Sequence, residues 1–244
     1  MEFTNSIILI LLASSMVASF IQRVSGFGFG IFIMTILPYL LPSYGESTTL
    51  SGLLALTQSF IVVCQMHKYI VWKRVLPILC AFLVTSYFCI GCLASFDSRF
   101  FMHVLGVALV LLSLYFLFLS KKIQIRPTLP MQLGMGSISG VMGGFFGMQG
   151  PPAVLYFVQS EQDKNHYAAQ TQLYFVSGNL FMTFVRAKNG FLTEAVGLSY
   201  LWAIVGVAIG TYLGTKVFDK ISTDILRKIV YAYMAVSGII AILK

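Results

Sequence analysis

Charge-free runs of membrane-crossing length limit this chain more than any other feature. They cover 3–22, 24–45, 47–67, 75–96, 100–120, 127–160, 165–185, 195–215 and 229–243. Most reach the ~20 residues that a helix needs to cross a hydrocarbon core. Backbone in lipid must satisfy its polar groups within a helix or a closed barrel. Barrel strands alternate strictly over about ten residues, whereas these runs are apolar all round, so they read as helices. Of the 244 residues, 58% are hydrophobic and 10% charged, against roughly 25% charged in a soluble domain. The expectation is an all-α, polytopic membrane protein lying in a lipid bilayer.

The net charge of +8 does not point to nucleic acid. The basic residues fall in small groups between apolar runs, as Lys68, Lys73 and Arg74 or Lys121, Lys122 and Arg126. That is the pattern of loops kept on the cytoplasmic side. No basic stripe with interleaved aromatics accompanies it. Residues 6–21 lack the positive n-region of a secretory signal, and the apolar stretch runs on past Arg23, so they read as a retained first helix. Cys64, Cys80, Cys89 and Cys92 all lie in apolar runs. Cys89 and Cys92 make a C-x-x-C, which reads more simply as small apolar residues in a helix than as a redox pair.

The same order of features occurs twice. A glycine-dense break, Gly26-Phe27-Gly28-Phe29-Gly30, leads to Pro38 and Pro42. A second, Gly143-Gly144 through Gly147-Met148-Gln149-Gly150, leads to Pro151 and Pro152. A short polar turn and three long apolar runs follow each, with an offset of about 121 residues over the first two-thirds of the halves. The spacing predicts two tandem homologous four-element halves, each with a Gly/Pro-broken first element. Residues 1–119 form the first, 120–130 a basic linker and 131–244 the second. Broken elements are expected over 5–42 and 131–160, and spans near 47–66, 75–94, 100–119, 167–186, 195–215 and 225–243. An even number of crossings per half gives parallel halves and an odd number gives inverted ones, and the pattern leaves both open. With an even number of crossings per half, a slight excess of basic residues in the loops on the side of the termini favours cytoplasmic termini.

Irregular backbone at membrane depth survives where protein or a watery cavity satisfies it. Paired interrupted segments in two halves point to a transport site near the midplane. Helix N-termini exposed at such breaks offer N–H groups and partial positive charge, which suit an anion. The candidate substrate-binding residues are therefore Gly26, Gly28, Gly30, Gly147, Gln149 and Gly150. Gln58, Gln170 and Asn179 join them from the adjoining spans, with Gln58 and Asn179 separated by the same offset of 121. Such amides also serve simply as interhelical hydrogen bonds. Arg23 is the one cation expected at depth, as a substrate contact or as a snorkelling side chain. Gly206, Gly210 and Gly214 have the small-xxx-small spacing of close helix packing. His103 reads as structural. Glu46 and Glu194 sit at span ends, so no carboxylate stands out as a proton relay. The chain has no H-E-x-x-H, G-x-S-x-G or Walker loop, so no enzyme, metal site or cofactor is expected.

Val24-Ser25-Gly26-Phe27-Gly28-Phe29-Gly30, with Pro38 beyond, resembles the first repeat of the sulfite exporter TauE/SafE family. Gly144-Phe145-Phe146-Gly147-Met148-Gln149-Gly150-Pro151-Pro152 is similar to that family's second-repeat signature. Gln149 stands where the family commonly has glycine, and Phe29 interrupts the first set. The resemblance implies a bacterial inner-membrane transporter of small anions such as sulfite or sulfonates, moved outward. A non-transporting scaffold or assembly factor is the alternative. Oligomeric state stays open, with a homodimer among the options.

Overall fold

The structure is a computed structural model. It describes residues 4–93, 95, 98–115, 118, 127–161, 163–218 and 223–243, without the side chains of 164, 223–227, 229, 230 and 234. Lys121, Lys122 and Arg126, which figure in the sequence pattern, lie outside the described residues, as do the rest of linker residues 120–126 and residues 116, 117 and 119 of the 100–119 span.

The described chain is helical throughout. α1 (Asn5–Ser25) ends at the first glycine break, and the five-residue α2 (Phe29–Ile33) and a 3-10 turn (Leu37–Tyr39) follow. α3 (Tyr44–Met66), α4 (Trp72–Leu93) and α5 (Ser98–Leu114) complete the first half. α6 (Leu129–Phe146) ends at the second break and α7 (Gly150–Ser160) leaves it. α8 (Lys164–Lys188), α9 (Glu194–Val217) and α10 (Thr223–Leu243) close the chain. Each expected span is occupied by a helix within a few residues of its expected bounds. Among the described residues, four segments are long and apolar enough to cross a membrane: Asn5–Ser25, Tyr44–Tyr69, Trp72–Leu93 and Glu194–Val217. α8 is also long, at 25 residues, but more polar, and its polar face is turned inward at Gln170, Thr171, Gln172 and Asn179.

Local chemistry sets the helix starts. Ser43 accepts the Glu46 N–H at the head of α3, Asp163 accepts the Asn165 and His166 N–H groups at α8, and Thr193 accepts that of Val196 at α9. Each supplies an acceptor to the otherwise unpaired first turn.

Glycine decides which helices touch. Gly206, Gly210 and Gly214 of α9 lie in turn against Leu12, Met16 and Arg23 of α1, so these two helices run parallel. Gly136, Gly140 and Gly144 of α6 lie in turn against Ile78, Phe82 and Cys89 of α4, again in parallel. A side chain at most of these positions would strike the neighbouring backbone, so glycine permits the close approach. α3 and α8 run antiparallel: Gly52 faces Thr183 and Arg186, while Gln170 reaches Tyr69 and Val71 beyond the far end of α3. α5 and α10 are antiparallel too, with Gly106 against Gly238 and the Ser113 hydroxyl donating to Tyr231 O at 2.7 Å.

Candidate functional site

The two breaks are built differently and meet. After α1, Gly26 takes φ 87° and its N–H donates to Gln22 O at 2.9 Å, and Gly28 takes φ 109° before α2. Both values lie where only glycine is unstrained. After α6, Gly147 turns at φ 66°, with its N–H on Gly143 O at 3.0 Å and that of Met148 on Met142 O at 3.2 Å. Pro151 and Pro152 then fall in the first turn of α7, where a missing N–H costs no helical bond. The Ser139 hydroxyl donates to Gln149 O and accepts from Tyr174 Oη at 2.7 Å, pinning this break to α6 and α8. The breaks touch at Gly30, where any Cβ would collide with the Gly147 carbonyl oxygen.

Between them lies a space of about 20 Å³, room for roughly one water. Gly28, Gly30, Gly147, Gln149, Gly150 and Asn179 line it, together with Gln22 and Phe175. A larger cavity of about 290 Å³ lies beside the end of α1. Arg23, Ser25, Gly26, Gln58, Glu161, Asp163, Thr171, Gln172 and Phe218 are among its lining residues. Gln58 Oε1, Thr171 Oγ1 and Gln172 Oε1 are buried and have no hydrogen-bond partner within the protein. Buried polar atoms without partners cost free energy that water or a ligand in the cavity would recover.

Both acids at this cavity are already engaged. Glu161, whose side chain is 2% exposed, pairs with Arg74. Asp163 caps α8. Arg23 donates from Nε to Thr215 Oγ1 at 2.9 Å, and its guanidinium carbon lies 4.8 Å from the Phe218 ring centre. It therefore stands at the wall of the large cavity, away from the meeting of the breaks. Gln58 also lines the large cavity, with Nε2 on Ser19 O at 2.8 Å. Gln170 lines neither space: its amide accepts from Val71 N–H and donates to Tyr69 O, both at 3.3 Å, and ties α8 to the turn before α4. The ten candidates thus divide between a narrow crossing, a wider cavity and one structural tie.

Arg186 does not stand out in the sequence, where its place beside Lys188 resembles an interfacial anchor. The structure buries it fully. Nη1 donates to Thr48 O at 3.2 Å, and Nη2 to Gly143 O at 2.8 Å and Gly144 O at 3.2 Å. Nε has no partner. Its position at the end of the charge-free run 165–185 was the available signal, but sequence order alone does not show a side chain turned inward.

Cys89 and Cys92 are unbonded thiols. Among the described residues no three His, Cys, Asp or Glu side chains gather closely enough to hold a metal ion.

No curated protein matches the chain, and no solved structure does. A family of membrane transporters does match, over residues 11–240 and so over both breaks and all or most of every helix among the described residues. The chain belongs to the sulfite exporter TauE/SafE family.

Proposed function

We propose that this chain carries small anions, with sulfite or an organic sulfonate as the substrate class, outward across a bacterial inner membrane through two inverted repeats. The contact of the two glycine breaks carries this reading. Two interrupted segments 121 residues apart that touch inside one small polar space are what a midplane transport site requires. The packing directions support inversion. α3 and its counterpart α8 are antiparallel, as are α5 and α10, while α1 with α9 mirrors α6 with α4. A two-fold axis in the membrane plane produces that set of pairings, and an axis along the normal does not.

Inversion also separates the charges. At the end of the bundle where α1, α3 and α9 finish stand Arg23, Lys68, Lys73, Arg74, Lys216 and Lys228. The connections joining helices at that end add Lys121, Lys122, Arg126 and Lys220 in sequence. The opposite end carries Arg99 and Lys188 with the buried Arg186. The positive-inside rule puts the basic end in the cytoplasm and both chain termini on the far side. This reverses the orientation favoured by the loops when an even number of crossings per half was assumed. The 290 Å³ cavity lies at the basic end, so it loads from the cytoplasm, as an exporter requires. An anion suits it because both neighbouring carboxylates are engaged and the potential of the surrounding cations is attractive.

Flux through purified protein in liposomes, with sulfite, a small sulfonate and acetate as solutes, tests the reading. Saturable flux of the sulfur anions above acetate supports it. Flux of none of them, together with capture of a protein partner, favours a scaffold instead.

A further inference from the structure

The two halves differ most where they ought to match. The large cavity is walled by Arg23, Gln58, Val62 and Ala168. The residues 121 positions away in the other half are Gly144, Asn179, Thr183 and Ser47. There Gly144, Asn179 and Ser47 are buried. The space is filled by one side chain, that of Arg186, which lies against Gly143 O, Gly144 O, Thr48 O and the Gly52 backbone, beside Thr183 and Asn179. Its own counterpart is Gln65, which is neutral and exposed.

Three features make Arg186 more than a packing residue. Its guanidinium is fully buried yet donates to carbonyls alone, from Nη1 and Nη2. Its Nε–H is unpartnered, as are the buried hydroxyls of Thr183, Ser51 and Tyr44 nearby. An uncompensated buried charge is costly, and its carbonyl partners are weaker than a negatively charged one. Two of the three carbonyls it holds, Gly143 O and Gly144 O, are at the C-terminal end of α6, directly before the second break.

We propose that Arg186 is the gate of a second vestibule on the side of the chain termini, and the counter-charge that the transported oxyanion meets there. In the present state its side chain shuts that vestibule by bridging α8, α6 and α3. An oxyanion arriving at the breaks offers the guanidinium a planar, charge-assisted pairing. That exchange releases Gly143 O, Gly144 O and Thr48 O, loosens α6 from α3 and lets the far side open. The anion opens the gate because it binds the open state better than the closed one, the condition for any ligand-driven shift. The proposal rests on the inverted-repeat transport reading above.

Cysteine labelling tests it in the full chain with Cys64, Cys80, Cys89 and Cys92 replaced by alanine. Ser47→Cys reports on the closed vestibule and its counterpart Ala168→Cys on the open cavity. Without substrate, Ser47→Cys should react with a bulky methanethiosulfonate at least about tenfold more slowly than Ala168→Cys, and methanesulfonate, which unlike sulfite does not attack the reagent or the mixed disulfide, should speed it. With Arg186→Gln added, Ser47→Cys should react about as fast as Ala168→Cys without methanesulfonate. Arg186→Lys keeps the charge but loses the fork, so the methanesulfonate concentration that half-accelerates labelling should rise about tenfold. Equal rates at the two cysteines in the parent would overturn the proposal. So would a methanesulfonate response unchanged in both Arg186 variants, which is what a purely structural arginine predicts. Labelling is read without flux. If the parent moves no anion in liposomes, the transport reading fails on its own while labelling still decides the gate.

Discussion

At the residue scale, glycine is required here for two separable reasons, turning and closeness. Gly30 shows closeness alone, since the Gly147 carbonyl leaves no room for a Cβ. Gly150 sits in the same space, but a Cβ there would lie 3.4 Å from Phe27 Cβ and 3.5 Å from Phe175 Cζ, which are ordinary contacts. Gly30→Ala should therefore destabilise the protein by about 1–3 kcal/mol, the usual range for overpacking. Gly150→Ala should be close to neutral. Thermal unfolding in detergent compares the two, and equal losses would count against the contact between the breaks. The sequence marked both glycines because they interrupt apolar runs, but it could not say which one touches the other half. Two polar residues show where order along the chain stops being informative. Gln170 is marked as a lining amide by its offset, yet backbone of the turn before α4 lies within its reach and pairs with it. Arg186 is not marked at all, yet α8 turns it towards three carbonyls.

At the scale of elements, two parallel glycine-faced pairs hold the bundle: α1 on α9 and α4 on α6. The spacing of Gly206, Gly210 and Gly214 made the first legible. Gly136, Gly140 and Gly144 have identical spacing but run into the second break, and the break masked their packing role. What no spacing reveals is the partner or the direction of packing, because either face of a glycine stripe suits a parallel or an antiparallel neighbour. That direction is what supports the proposed inversion. α9 also contains its own control: a Cβ at Gly197 would meet nothing within 4 Å, whereas one at Gly210 would run into Met16 backbone. Gly210→Leu should prevent α1 from seating and abolish a monodisperse peak in detergent chromatography. Gly197→Leu should leave that peak unchanged. A shared phenotype would mean that the α1–α9 seam is not where this fold derives its stability.

For the whole molecule, the arrangement explains how a chain of modest charge can be polarised across a membrane. Successive loops alternate sides, so an even and an odd number of crossings per half sort the same cations differently between the two faces. Once the helix directions are known, the cations collect at one end, beside the large cavity. A C-terminal phosphatase fusion, active only outside the cytoplasm, should therefore be active, and a fluorescent protein that folds only in the cytoplasm should be dark at the same position. The reverse pair of results would place the large cavity outside and turn the proposed direction of loading around. The central claim is that solute passes where the glycine breaks meet, in a space now about the size of one water. Gly150→Leu tests it most directly, because the alanine variant keeps the fold and the longer side chain fills that space. In proteoliposomes, Gly150→Leu should insert and run as a single peak like the parent but lose sulfite flux, while Gly150→Ala keeps it. Sulfite flux at the parental rate through Gly150→Leu would contradict the account.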